Sequence, residues 1–210
     1  MSLKTEIQVY FQPAGAIEPV QIGVLTAHQA KTRKASSFEY LPEWLQSKQA
    51  FMLDPEILLY KGLQYPTQKE SFGAFADAMQ DSWGRKLMQR RAAQKAAEQK
   101  EKAPKLYEID CLLCVNNLTR MGALRFRLTS SGPFLDNDNH HPVPPWTSLR
   151  ELQSSAEMFD KDDEHISKEH LELLLAHGSS LGGARPKANI VDEKGDLWIA
   201  KFPAKKRHHR

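Results

Sequence analysis

The residues near the N-terminus alternate with a period of two, and this pattern restricts the fold more than any other feature of the chain. Ile7, Val9 and Phe11 fall on one face of an extended segment, and Val20, Ile22 and Val24 repeat the pattern after a turn-forming stretch from Gln12 to Gly15. Side chains two apart share a face of a strand, so the two segments predict a β-hairpin with an apolar side. The cluster Phe38, Tyr40, Leu41, Trp44, Leu45 follows and leads into AFMLDPEILLY, where Asp54 and Pro55 interrupt the run. A small mixed sheet with short helices is the predicted architecture here.

The period then changes. From Ser71 to Lys102 the chain is rich in Ala, Gln, Lys, Arg and Glu and has no internal proline, which predicts helices. Phe72, Phe75, Ala76 and Met79 recur at helical spacing, Asp81 or Ser82 is placed to cap the next helix, and Leu87 is its apolar anchor. Between Arg85 and Lys105 there are eight Lys or Arg against two Glu. A solvated helix face accounts for this, and a nucleic-acid patch is the alternative, although no aromatic residues are interleaved to stack on bases. Tyr107 to Leu128 combine a buried apolar run with RMGALRFRL, a strand pair or a helix-to-strand junction. The stretch SSGPFLDNDNHHPVPPW is dense in Pro, Asn, Asp and Gly and predicts a loop or linker. Beyond it, Leu149, Leu152 and Met158 predict one helix, and Ile166, Leu171, Leu173, Leu174 and Leu175 a second that starts at Ser167.

These patterns predict an α+β chain: residues 1–130 a small N-terminal sheet subdomain with helices, residues 131–145 a linker or loop, and residues 146–210 a further lobe. No apolar run approaches the roughly 18 residues that cross a bilayer, and the N-terminus lacks the pattern of a secretory signal. A cytoplasmic protein without a membrane partner is the expectation. Cys111 and Cys114 form a lone CxxC in the apolar run IDCLLCV. Read as a strand, that run puts the thiols on opposite faces and favours buried structural cysteine over redox or zinc chemistry. His165, His170 and His177 stand five and seven residues apart and form no compact ligand face. The net charge of +3 is smaller than the four positive charges of Lys205, Lys206, Arg207 and Arg210, so the body is near neutral and the basicity local.

The chemistry concentrates in the last third. Gly182, Gly183 and Ala184 are small residues whose backbone N–H groups an anion can approach closely, and Lys187 adds a point charge. The pattern is neither a Walker loop nor the GxGxxG of ordinary protein kinases, and on physical grounds alone a glycine-rich turn between helix and strand is the stronger explanation. Ala188, Ile190 and Val191 then predict a strand, Asp192 to Gly195 a hairpin turn, and Leu197 to Phe202 a returning strand that carries Lys201. A strand lysine beside a glycine-rich loop is the pairing that contacts ATP phosphates in kinase lobes, with Arg185 and Lys187 neutralising charge from the loop side.

The segment SLGGARPKANI followed by LWIAKFP, with FADAMQDSWGRKLMQRR and LTRMGALRF upstream, resembles the HipA family of bacterial toxin serine/threonine kinases from about Val20 onward. The resemblance implies a small N-terminal subdomain leading into the start of a kinase-like ATP-binding lobe, with ATP and Mg²⁺ as cofactors. It also implies a helix-turn-helix antitoxin as partner, DNA contact only through that antitoxin, and a translation factor such as glutamyl-tRNA synthetase as substrate. By the same resemblance, Ser180 matches the autophosphorylated serine, although it also serves as a turn residue. Gly182, Gly183, Ala184, Arg185 and Lys187 fall on the phosphate-covering loop, and Lys201 on the strand lysine that contacts ATP. The family's catalytic and metal-binding aspartates have no recognisable counterpart in the nine residues after Lys201, so the expectation is a truncated kinase, inactive as an isolated chain. The tail from Arg207 reads as a frameshift product of a longer gene. Two other functions compete: a non-catalytic module that binds an antitoxin or a separate kinase lobe, and direct nucleic-acid binding through residues 85–105 and the basic tail, whose affinity would fall steeply with salt.

Overall fold

The computed structural model describes residues 3–29, 34–67, 69–135, 143–161, 165–175 and 183–203. It is α+β and divides into two compact units. One comprises Met1–Met79 with Tyr107–Asn137, the other Gln80–Leu106 with Asp138–Arg210.

In the first unit, β1 (Leu3–Phe11), β2 (Val20–Gln29), β3 (Lys34–Tyr40) and β4 (Leu124–Arg127) form one sheet in the order β3-β2-β1-β4. Every ladder is antiparallel. The expected mixed sheet is therefore corrected to an antiparallel one: short connections from β1 to β2 and from β2 to β3 permit only reversal of direction. The N-terminal hairpin is present, with Gly15 in its turn at φ +84°.

Its register holds a surprise. Val9 pairs with Gly23 but Tyr10 pairs with Gln21, which leaves Ile22 as the extra residue of a β-bulge. The bulge shifts the phase of β2, so Ile22, Gly23 and Leu25 are buried, whereas Val20 is 48 % exposed and Val24 half-buried. Strict alternation through Val20, Ile22 and Val24 is thus corrected. The same kink lets Val9 and Tyr10, adjacent in sequence, both bury.

The sheet is covered by aromatic residues. Phe38, Tyr40, Trp44, Phe72, Phe75 and Phe126 are fully buried, with ring centroids of Phe38 and Phe75 5.4 Å apart and those of Phe75 and Phe126 6.2 Å apart. Trp44 comes from α1 (Pro42–Gln46), Phe75 from α2 (Gly73–Ala76). The run containing CLLC is α4 (Glu108–Leu113), a helix and not a strand. Cys111 is buried on it and Cys114, its C-cap, is exposed. β4 shows the alternation read from LRFR, with Leu124 and Phe126 inward.

The second unit is built from α3 (Ser82–Glu98), α5 (Leu149–Lys161), α6 (Lys168–Leu175) and the antiparallel pair β5 (Lys187–Val191) and β6 (Leu197–Lys201). Its core joins Trp83 and Leu87 of α3, Leu152, Ala156 and Phe159 of α5, Leu171 and Leu174 of α6, and Ala188, Ile190 and Phe202 around the strands. Met158 faces away and is 46 % exposed. Both Asp81 and Ser167 act as caps: Asp81 Oδ1 accepts from the Gly84 N–H at 2.7 Å, and Ser167 Oγ from the His170 N–H at 3.3 Å. Residues 80–106 thus pack with the C-terminal elements, whereas the contiguous expectation placed them in residues 1–130. No described helix is long and apolar enough to cross a membrane.

Candidate functional site

The expected site centres on the approach to β5 and the end of β6. Gly183 sits at φ +126°, a backbone conformation that side-chain-bearing residues rarely adopt, and a Cβ there would meet nothing closer than Lys187 Nζ at 3.6 Å. Glycine is required at this position by the backbone angle and not by space. Ala184 and Arg185 follow on the surface, and Pro186 is buried. The carbonyl of Pro186 accepts from the Phe202 N–H at 2.9 Å, which ties the loop to the end of β6.

Register brings the two lysines together. Lys187 and Lys201 are directly opposite partners in the β5–β6 ladder. Opposite residues in an antiparallel ladder lie about 4.5–5.5 Å apart at Cα and project to the same face. The loop from Gly183 to Pro186 and Lys201 therefore meet at one end of the two-stranded sheet. Their side chains nevertheless have different surroundings. Lys201 is exposed, whereas the side chain of Lys187 is 4 % exposed and forms an ion pair with Asp81, itself 3 % exposed. Lys187 Nζ also donates to the Gly183 carbonyl at 3.1 Å, and the Trp83 N–H donates to that same carbonyl at 3.3 Å.

Lys187 was expected at the phosphate from the loop side; in this arrangement its ammonium is turned into the protein and holds the loop. Asp81 enters the site as a residue that sequence reasoning assigned only to helix capping. Nothing local signals its second role, because the partner stands 106 residues away. Ser180 and Gly182 lie outside the described residues, as do His177 and the basic tail with Lys205, Lys206, Arg207 and Arg210.

At the other end of the hairpin, Asp192 organises the turn. Its Oδ1 accepts from the backbone N–H groups of Lys194 and Asp196, each at 2.9 Å, and its Oδ2 from the Trp198 indole at 2.9 Å. The Trp198 indole first, and the backbone donors after it, hold this half-buried residue's carboxyl below its usual value of 3.8. Gly195 completes the turn at φ +84°.

Two exposed cations, the Arg185 guanidinium and the Lys201 ammonium, and the backbone at the left-handed Gly183 are groups that suit an anionic phosphate chain. Among the described residues no group of three His, Cys, Asp or Glu side chains stands close enough to hold a metal ion. Compared with known protein families and with curated proteins, the chain matches no family model and no curated sequence.

Proposed function

We propose that this chain is the nucleotide-binding part of a HipA-like serine/threonine kinase from a toxin–antitoxin pair, with ATP as the ligand. Arg185 and Lys201 meet its phosphates, and the backbone around Gly183 lies against them. The observation that carries the reading is the strand register, which sets Lys201 opposite Lys187 and so beside the glycine-bearing loop, although the two segments are separated by a hairpin turn. A lysine at a random position on an exposed strand has no reason to share a sheet end with a left-handed glycine. In this reading the partner is a helix-turn-helix antitoxin, through which any DNA contact runs. The phosphorylated protein is a translation factor of the glutamyl-tRNA synthetase kind.

Calorimetric titration of the purified chain with ATP tests the proposal. Saturable binding that Lys201→Met weakens by about tenfold or more, while circular dichroism is unchanged, is the expected result. Absence of binding, or equal affinity of the variant, refutes it.

A second reading has one observation in its favour. Leu58, Leu59, Tyr60, Leu63 and Tyr65 are each between 44 % and 54 % exposed within eight residues, a concentration of apolar surface that marks interaction sites. An interaction module in the first unit would dock its antitoxin there. Loss of antitoxin binding in a Tyr60→Ser/Leu63→Ser variant that still binds ATP would assign that surface to the partner.

A further inference from the structure

The second unit contains a buried ion pair that nucleotide binding does not call for. Taking an ammonium and a carboxylate out of water is expensive, and their attraction offsets the cost only when further hydrogen bonds satisfy both groups. Here they do. Asp81 Oδ1 accepts from the Gly84 N–H in the first turn of α3, while Oδ2 faces Lys187. Lys187 Nζ in turn reaches the Gly183 carbonyl, which also receives the Trp83 N–H from α3. Two donors, the Trp83 N–H from the first turn of α3 and the Lys187 ammonium held by Asp81, thus converge on the carbonyl of one glycine, which sits at φ +126°. Immediately beyond this anchor the chain surfaces at Ala184 and Arg185.

We propose that Asp81 and Lys187 form a buried latch that fixes the glycine-bearing loop onto the first turn of α3. Asp81 is then a positioning residue for the nucleotide site, and Lys187 acts through the loop and not at the phosphate. The role assigned to the loop rests on the nucleotide-site reading; the latch itself stands on the ion pair and its hydrogen bonds.

The test compares the full chain with Asp81→Asn, Lys187→Met and the double variant by amide hydrogen exchange and by ATP titration. Asparagine keeps an acceptor for Gly84 and removes the charge, so the cap survives while the pair is broken. Each single variant is expected to raise exchange at the Trp83 amide and in the 183–187 peptide by about tenfold or more, and to weaken ATP binding in step. The double variant restores the fold of the unit, because no orphaned buried charge remains, but its loop stays loose and its ATP binding weak, because the latch is absent. Unchanged exchange in both single variants overturns the latch. Loop protection at the wild-type level in the double variant overturns the latch, and ATP binding lost in Lys187→Met at unchanged exchange makes Lys187 a phosphate ligand. Protection across α5 and α6 shows whether the unit stays folded; if both single variants unfold it, refolding in the double variant supports the pair and failure to refold overturns it. A wild-type chain that binds no ATP defeats the nucleotide reading alone, and the exchange data still decide the latch.

Discussion

Arg120 is the residue whose replacement should cost the first unit most. Only 4 % of it is exposed, and its guanidinium donates to three backbone carbonyls: Ala78 at 2.6 Å, Leu112 at 3.0 Å and Val115 at 2.7 Å. Leu112 belongs to the last turn of α4, whose final carbonyls have no partner within the helix, so Arg120 serves as its C-terminal cap and complements the helix dipole. The guanidinium also lies 4.7 Å from the centre of the Phe126 ring. In Arg120→Met the side chain keeps apolar volume against Phe126 but abandons three buried acceptors. At about 1–3 kcal/mol for each unsatisfied group, reduced because the guanidinium no longer has to be desolvated, the net loss is about 3–4 kcal/mol. With a urea slope of about 2 kcal/mol/M, the midpoint falls by roughly 1.5–2 M. Arg120→Lys should recover about half of this, since an ammonium cannot reproduce a planar fork aimed at three carbonyls. The assay is a urea series in which exchange protection of peptides from β2 and β3 reports the folded fraction of this unit alone. A midpoint for Arg120→Met within about 0.3 M of wild type would refute the reasoning.

Gly23→Ala should destabilise the same unit by about 2–3 kcal/mol, because the new Cβ collides with the Glu39 carbonyl and the Phe38 ring of β3; the same urea series checks it, and a neutral effect contradicts the close strand approach. Gly183→Ala has room for its methyl group, so its effect comes from the backbone: a cost of about 1–3 kcal/mol to hold φ at +126°, seen as faster exchange at 183–187 with α5 and α6 still protected. Asp192 has its carboxyl pKa lowered on folding, so the folded chain binds fewer protons there than the unfolded chain. Its contribution to stability is complete above the usual value of 3.8 and disappears as pH falls through the lower folded value. The Trp198 indole N–H resonance should titrate with a midpoint below 3.8, and a midpoint at or above that value contradicts the hydrogen bond.

Local pattern carried a large part of this structure. The hairpin of Ile7 and Val9, the Asp81 and Ser167 caps and the turn at Asp192 to Gly195 each depend on residues within a few positions of one another, and each is present. Where the outcome depends on a distant partner, the sequence is silent. The bulge at Ile22 arises where β2 must fit both β1 and β3, which no alternation in β2 alone reveals. CLLC is equally apolar as a strand or a helix; the Asp110 carboxylate that accepts from the Tyr107 N–H at 2.8 Å decides for a helix start. In the candidate site, the hairpin that carries Lys201 was legible, whereas its register with Lys187 and the burial of Lys187 were not. Its partner comes from a helix that joins this unit from the middle of the chain.

The central claim is that Lys201, beside the loop at Gly183, faces the phosphates of a bound nucleotide. An acyl-phosphate derivative of ATP measures this directly: a lysine amine next to the phosphates attacks the acyl carbonyl, keeps the acyl group as an amide and releases ATP, and mass spectrometry identifies the lysine. Labelling of Lys201 that excess ATP suppresses, with Lys187 unlabelled behind its pairing with Asp81, is the predicted result. No labelling at Lys201, or labelling that ATP leaves unchanged, would contradict the account.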